Sequence, residues 1–379
     1  MPDQPGGPAS PTMTTTPQQP TATPATSAAP HAGATAGAPA PAQGGPTGSP
    51  EDQSQSMHQR GRNKIPWSHD VWERIDHAVA TEVKRTRIGA RFMPLRPVPP
   101  KTTSVPTDSY QFSGGVFNVD EGATIRLNEY YVEFELTPQQ VDQEEGDFKD
   151  LGHSTAVTLA TKSANALALA EDLIIFQGQN AITGTAPFTS GLVQTLGGNK
   201  PADTGLLNFP IGGNGPGQGP LTPEPVPSIP VINVAQLNPA MGGVIYGPNT
   251  FEAVADGYAQ LQDAGQYGPY ALVLETIPYA DTFAPLPATL TLTADRIKPL
   301  VTAGFFGSGT LPPNQRPPQA PFYGVLVSLG GNTMDLVVGA PPVTAFLQED
   351  TTGNFRFRVL QRFALRVKDP TAIVILQFN

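Results

Sequence analysis

The residues that could do chemistry are few and poorly spaced for it. Five histidines, His31, His58, His69, His77 and His153, come first, because imidazole is the commonest metal ligand and a frequent general base. A ligand cluster needs an i,i+4 pair on a helix or carboxylates at matching spacing, and the five are read as forming neither, so no metal is expected. The acidic run Asp142, Glu144, Glu145, Asp147 and Asp150 lacks the ordered spacing and central glycine of a calcium loop, and is expected to be a solvated or intersubunit loop. Glycines between Gly212 and Gly219, and Gly304, Gly307 and Gly309, lack the Lys-Ser/Thr of a phosphate loop and the strand-to-helix setting of a dinucleotide fingerprint. They are read as turns. There is no Gly-x-Ser-x-Gly elbow, and zero Cys removes thiolate nucleophiles, disulfides and Cys-based metal sites together. No catalytic constellation emerges, so neither an enzyme nor a cofactor is expected.

Two patterns suit binding rather than catalysis. Arg356, Arg358, Arg362 and Arg366 fall on one side of a run whose other side is Phe355, Phe357, Val359, Phe363, Leu365 and Val367. In a chain of net charge −10 such guanidiniums are expected to pair with carboxylates of the same or a neighbouring subunit, in preference to binding nucleic acid. Trp72, Ile75 and Val79 form an apolar stripe at helical spacing, open to two readings: core packing or a docking face.

The elements that must position these residues can be read in order. From Met1 to Pro50 the only charge is Asp3, in a setting of Pro, Ala, Thr, Gly, Ser and Gln, so residues 1–64 are expected to be a disordered tail. It lacks the features of a secretory or transit signal, and no apolar run reaches the roughly 18 residues of a membrane span, so a soluble, cytoplasmic chain without membrane contact is expected. The charged fraction of 14% suits a subunit that buries much of its surface against neighbours. Ser68 and Asp70 open an amphipathic helix that Gly89 stops. Ile125 to Leu136 alternates as a strand. Ser154 opens an Ala-rich helix through Phe176, apolar almost all round and so a buried spine, closed by Gly178. Thr195 to Gln236 reads as a Gly/Pro-rich insertion. Asn249 caps a further helix, the turn Tyr267-Gly268-Pro269-Tyr270 leads into the strand Ala271 to Glu275, and the last third is strands: Phe322 to Leu329, Met334 to Val338, Val343 to Leu347, Asn354 to Val367 and Ala372 to Phe378. The fold class is α+β.

Laid end to end, "IPWSHDVWERIDHAVATEVKRTRIGARF", "ALALAEDLIIFQG", "YGPYALVLE", "FYGVLVSLGGNTMDLVVGAPPVTAFLQED" and the Arg-bearing strand through "AIVILQF" resemble, in order, segments of the encapsulin family of linocin-type shell proteins. The resemblance spans roughly Ile65 to Phe378. It implies the Hong Kong 97 phage capsid fold, with an amino-terminal helix (65–92), an extended arm (104–136), a peripheral domain (137–194 and 341–379), the insertion (195–236) and an axial domain (237–340). The implied function is a structural shell subunit that self-assembles into an icosahedral nanocompartment of roughly sixty subunits or a multiple of that. Its partners would be itself and cargo proteins bearing a targeting peptide, with no nucleic acid. The runner-up is a major capsid protein of a tailed phage or prophage. Family members line the shell interior with the matching helix, which makes Trp72, Ile75 and Val79 cargo-docking candidates and places the tail inside the shell. Asp281, Thr282, Phe283, Ala284, Pro285, Leu286 and Pro287 match loosely the loop that surrounds the five-fold axis, and are pore-loop candidates.

Overall fold

The computed structural model describes residues 61–379 except 114–115, 121, 152–153, 185–187, 189–190, 197–203, 210–228, 238–244, 286–290 and 313–320. The expected disordered tail and the glycines from Gly212 to Gly219 lie, but for 61–64, outside the described residues; all that follows concerns the unit Gly48–Asn379.

The helices are α1 (His69–Thr86), α2 (Gly89–Phe92), α3 (Pro138–Leu151), α4 (Thr155–Gln177), α5 (Ala181–Gly184), α6 (Pro248–Asp263), α7 (Thr276–Asp281) and α8 (Thr293–Ile297). The strands before α3 are β1 (Leu95–Pro97), β2 (Ser104–Pro106), β3 (Ser109–Ser113), β4 (Val116–Asp120), β5 (Thr124–Arg126) and β6 (Asn128–Leu136). Those after it are β7 (Gln194–Leu196), β8 (Val231–Val234), β9 (Tyr270–Glu275), β10 (Gly304–Ser308), β11 (Phe322–Ser328), β12 (Met334–Glu349), β13 (Phe355–Val367) and β14 (Ile373–Phe378).

Two five-stranded sheets carry the fold. The first has the order β1-β12-β13-β6-β7, and α1 and α4 pack against it; the second has the order β10-β9-β11-β14-β8, beside which α6 and α8 build a separate core. Helix α4 is the spine. Ser154 caps it by accepting from the Val157 N–H at 2.9 Å, Gly178 ends it at φ 84°, and its alanines at 156, 160, 164 and 168 are fully buried. Alanine lets neighbours approach the helix axis closely, and Gly89 extends that approach: a Cβ there would stand 2.6 Å from Ile175 Cδ1.

Burial on β6 alternates as its sequence predicts, with Val132, Phe134 and Leu136 inward and Glu133 and Glu135 less buried. The pairing nevertheless corrects the expected arm. Among the described residues β2–β5 and the β3–β4 hairpin form separate two-stranded ribbons, whereas β6 lies inside the first sheet between β13 and β7. The expected strands Met334 to Val338 and Val343 to Leu347 are one bent strand, β12. Its register against β13 slips between Val338 and Ala340, at Gly339, and again between Ala340 and Val343, where Pro341 and Pro342 cannot donate to the ladder. The last strand, β14, joins the second sheet between β11 and β8, so 341–379 is divided between the two sheets.

Four other expectations change. The acidic run lies on helix α3, opened by a reciprocal cap in which the Thr137 N–H donates to Gln140 Oε1 at 2.9 Å and the Gln140 N–H to Thr137 Oγ1 at 3.3 Å. The segment 195–236 contains ordered pieces. Leu206 is fully buried, its N–H bonded to the Ile175 carbonyl at 2.9 Å, and Val231–Val234 pairs in parallel with β14. Gly304 and Gly307 belong to strand β10, where the bare Gly307 backbone leaves room for the Tyr279 ring; a Cβ would meet it at 2.4 Å. Helix α6 opens with Gly247 at the cap and Pro248 in its first turn, while Asn249 instead donates its side-chain amide to the Ala235 carbonyl at 2.9 Å.

Candidate functional site

Helix α1 is amphipathic, and its two faces have different surroundings. Trp72 is 6% exposed, Ile75 0% and Val79 1%. The stripe fills the space over the first sheet: the Trp72 ring lies 5.0 Å from Trp67 and 6.2 Å from Phe357, and Trp67 stacks on Phe357 at 5.2 Å. Of the two readings of this stripe, the structure gives core. The Trp72, Ile75 and Val79 side chains are buried in the subunit. Their apolar spacing could not separate the alternatives, because a core face and a docking face use the same residue types.

The other face of α1 is open. Asp70, Glu73, Arg74 and His77 stand at helical spacing along it and, with Val157 from the first turn of α4, line a groove of about 480 Å³. The ligating atoms of His69, Asp70 and Glu73 lie within 4.8 Å of one another, with His69 Nδ1 3.9 Å from Glu73 Oε2. This corrects the reading that no histidine has carboxylates at matching spacing. All three side chains are exposed in the first turn of a helix, where the dipole disfavours a cation, so the cluster by itself does not define a metal centre.

At the start of α1, Arg62 ties the chain down. Its guanidinium bonds both Asp76 oxygens, at 2.8 and 2.6 Å, and the Thr344 carbonyl at 2.7 Å, and lies 4.5 Å over the Trp72 ring. At the far end, Asp172 of the spine accepts from the N–H groups of Ile88 (2.8 Å) and Gly89 (2.8 Å), locking the junction of α1 and α2. Burial pushes the Asp172 carboxyl up to about 8, the neighbouring Glu171 adding to the rise and the backbone donors opposing it. Burial also raises Glu171.

Arg356, Arg358 and Arg366 are paired within the subunit. In register across β13 and β6, Arg356 faces Glu135, Arg358 faces Glu133 and Arg362 faces Glu129. Arg356 reaches Glu135 at 2.6 Å and Arg358 reaches Glu133 at 3.3 Å. Arg366 forks onto both Asp335 oxygens at 2.9 and 2.7 Å and also pairs with Asp108 at the foot of the β3–β4 ribbon. Burial works against the Asp335 charge, but Arg366 and Lys368 outweigh it and hold the carboxyl below the usual carboxylate range. Carboxylate partners for this face are expected from the sequence, and those of Arg356, Arg358 and Arg366 come from the same subunit.

The pore-loop candidates divide. Asp281 and Thr282 are buried, 8% and 0% exposed. The Asp281 carboxylate accepts from the N–H groups of Ile245 (2.6 Å), Tyr246 (2.8 Å) and Gly247 (2.8 Å), so it anchors the segment before α6 and does not face an opening in the subunit. Phe283 is 38% exposed and Pro285 is exposed, while Ala284 is half-buried. Leu286 and Pro287 lie outside the described residues.

Two sheets, a buried spine helix and separate two-stranded ribbons are the architecture of the Hong Kong 97 capsid fold, of class α+β. The subunit of a virus-like particle from Pyrococcus furiosus shares it, with a TM-score of 0.52 at 16% identity over 80% of this chain and 98% of that one. A family model described as encapsulating protein for peroxidase matches residues 57–205 and 236–364. The chain belongs to that family, the encapsulin shell proteins. The type 1 encapsulin shell protein EncA of Myxococcus xanthus (strain DK1622) is 24% identical over 327 residues, 84% of this chain and 96% of that protein. The encapsulin of the holo-SrpI complex from Synechococcus elongatus PCC 7942 is 11% identical, with a TM-score of 0.44 over 77% of this chain and 88% of that one. This is therefore a shell-forming protein of a family whose role is structural. Among the described residues no helix is long and apolar enough to cross a membrane.

Proposed function

We propose that this protein assembles by itself into a closed icosahedral shell in the cytoplasm, holds cargo proteins inside, and performs no catalysis of its own. The observation that carries the reading is the family match on both sides of the Gly/Pro-rich segment, together with a subunit that contains both sheets, the spine and the ribbon of the capsid fold. Expression of this chain alone is expected to give uniform hollow particles eluting in the megadalton range, visible by electron microscopy. A stable monomer or dimer at physiological salt overturns the proposal, and a high ratio of 260 to 280 nm absorbance inside intact particles would favour a nucleic-acid capsid.

Cargo is proposed to dock on α1 through a short peptide segment. Because the Trp72, Ile75 and Val79 side chains fill the core, they support the helix from beneath, and the contact surface is the open groove of Asp70, Glu73, Arg74, His77 and Val157. The loop from Asp281 is proposed to reach a symmetry axis. With Asp281 turned inward the loop would offer a pore no ring of like charge, and passage of small ions through it would show weak charge selectivity. A reconstruction that puts residues 283–285 away from every axis rejects that assignment.

A further inference from the structure

The buried charge cluster around Asp335 brings together three groups that can react with one another. Lys368 follows β13 directly, its side chain 1% exposed; its Nζ donates to Asn332 Oδ1 at 2.7 Å and lies 3.1 Å from Asp335 Oδ2. Asn332 Cγ is one carbonyl bond beyond Oδ1, so the amine nitrogen stands within about 4 Å of it. The backbone between the two side chains is fixed. The Lys368 and Asp369 N–H groups donate to the Thr333 carbonyl at 2.8 and 3.0 Å, and the Thr333 hydroxyl donates to the Ser328 carbonyl at 2.7 Å. Asn332 is exposed, so a group leaving Cγ departs into solvent. A desolvated lysine is a nucleophile, a side-chain amide whose oxygen accepts a hydrogen bond is a polarised electrophile, and a carboxylate touching the amine is a proton acceptor. Holding the three in place replaces a chance encounter by a fixed geometry.

From this we infer that Lys368 and Asn332 become joined by an isopeptide bond within the subunit. The Lys368 ammonium passes a proton to Asp335, and the freed lone pair forms the Nζ–Cγ bond. Asp335 returns that proton to Nδ2 and takes a second one from Nζ. The Cγ–Nδ2 bond then breaks, its electron pair stays with nitrogen, and ammonia leaves, carrying the second proton away as ammonium. No oxidant or cofactor enters the balance. The product N–H faces Asp335 Oδ2, which keeps Arg366 as its counter-ion, and a buried ammonium is exchanged for an amide. The bond links residues 36 apart in sequence and closes the open end of the β12–β13 hairpin, in a chain whose zero Cys leaves no disulfide for that purpose.

The test is the mass of the full chain, denatured after purification. Wild type should weigh about 17 Da less than its sequence, the mass of one ammonia, and digestion should yield a branched peptide joining the segments around Asn332 and Lys368. Lys368→Arg, which keeps a cation for Asp335, and Asn332→Gly, which suits the φ of 62° there, should each have the full mass of their own sequence. Asp335→Asn, which cannot accept the proton, should have it too; if that variant does not fold, the other two carry the comparison. Wild type at full sequence mass overturns the proposal. The same mass loss persisting in Lys368→Arg, with no branched peptide, also overturns it, because Asn332 would then have closed on its own backbone as a succinimide. The measurement requires neither shell assembly nor cargo, so it stands apart from the proposals above.

Discussion

On Asp335 two buried cations converge. Its carboxylate lies 4% exposed between Arg366 and Lys368, which is itself 1% exposed. Removing it leaves the buried Lys368 without its carboxylate and Arg366 with Asp108 alone, a cost of about 3–5 kcal/mol. Asp335→Ala is expected to abolish soluble shells, with particle yield as the measurement. Because the folded-state pKa of Asp335 lies below its ordinary value, its contribution is present above roughly pH 4 and lost as pH falls through that region. Asp172 has the opposite sign. Raised to about 8, it binds a proton in the folded state that the unfolded chain has already released, so stability falls as pH rises from roughly 4 toward 8. Thermal unfolding midpoints recorded between these limits should fall more steeply for wild type than for Asp172→Asn, which carries no ionisable group there. An identical slope would mean that Asp172 is already ionised in the fold.

At the scale of the element, α1 is expected to fail by unfolding before it fails in docking. Ile75→Asp puts an unpaired carboxylate where the side chain is 0% exposed, at a cost of several kcal/mol, and should eliminate assembled particles altogether. Assembled shells that merely lack cargo would show that this side of α1 opens in the particle. The end of the spine makes a comparable demand on Gly205, where a Cβ would stand 2.5 Å from the backbone nitrogens of Gln177 and Gly178. These atoms belong to the end of a helix and cannot rotate away. Gly205→Ala should therefore displace the 204–208 segment from α4, which hydrogen exchange at Leu206 and Leu207 would report, because their N–H groups bond to the Ile175 and Phe176 carbonyls.

For the molecule as a whole, the β3–β4 ribbon is tied at its foot to the buried charge cluster around Asp335. A two-stranded ribbon is marginal by itself, and here its foot is held by Arg366 to Asp108 and by the Tyr110 N–H to the Lys368 carbonyl at 3.1 Å. Asp108→Ala removes the exposed member of that cluster while Asp335 still neutralises Arg366. It should leave the subunit folded, by circular dichroism, while lowering the yield of closed particles. Unchanged particle yield would mean that the ribbon needs no anchor at its foot.

How much of this was legible in the sequence depended on whether the signal was local. The spine was legible because cap, alanine run and terminal glycine all lie within one segment. The same holds for β6 and β13, where charge alternates with period two on both strands, so the Glu–Arg ladder could be anticipated before the register was known. The five segments in order were enough to give the family and its fold. Other features depended on partners far away in the chain. Nothing near Asp281 tells that it will accept three N–H groups from residues 245–247, and an isolated acid beside a proline-rich loop reads as exposed. The bend in β12 is set by two prolines whose neighbours belong to β13, so the sequence suggested two strands where the sheet makes one. Most of all, the sequence by itself determined that α1 has an apolar side, and only the tertiary structure decided that this side meets the sheet and that the charged side lines the groove. Periodicity fixes which residues share a face of a helix, but which face meets protein and which meets solvent is settled by the elements that pack around it.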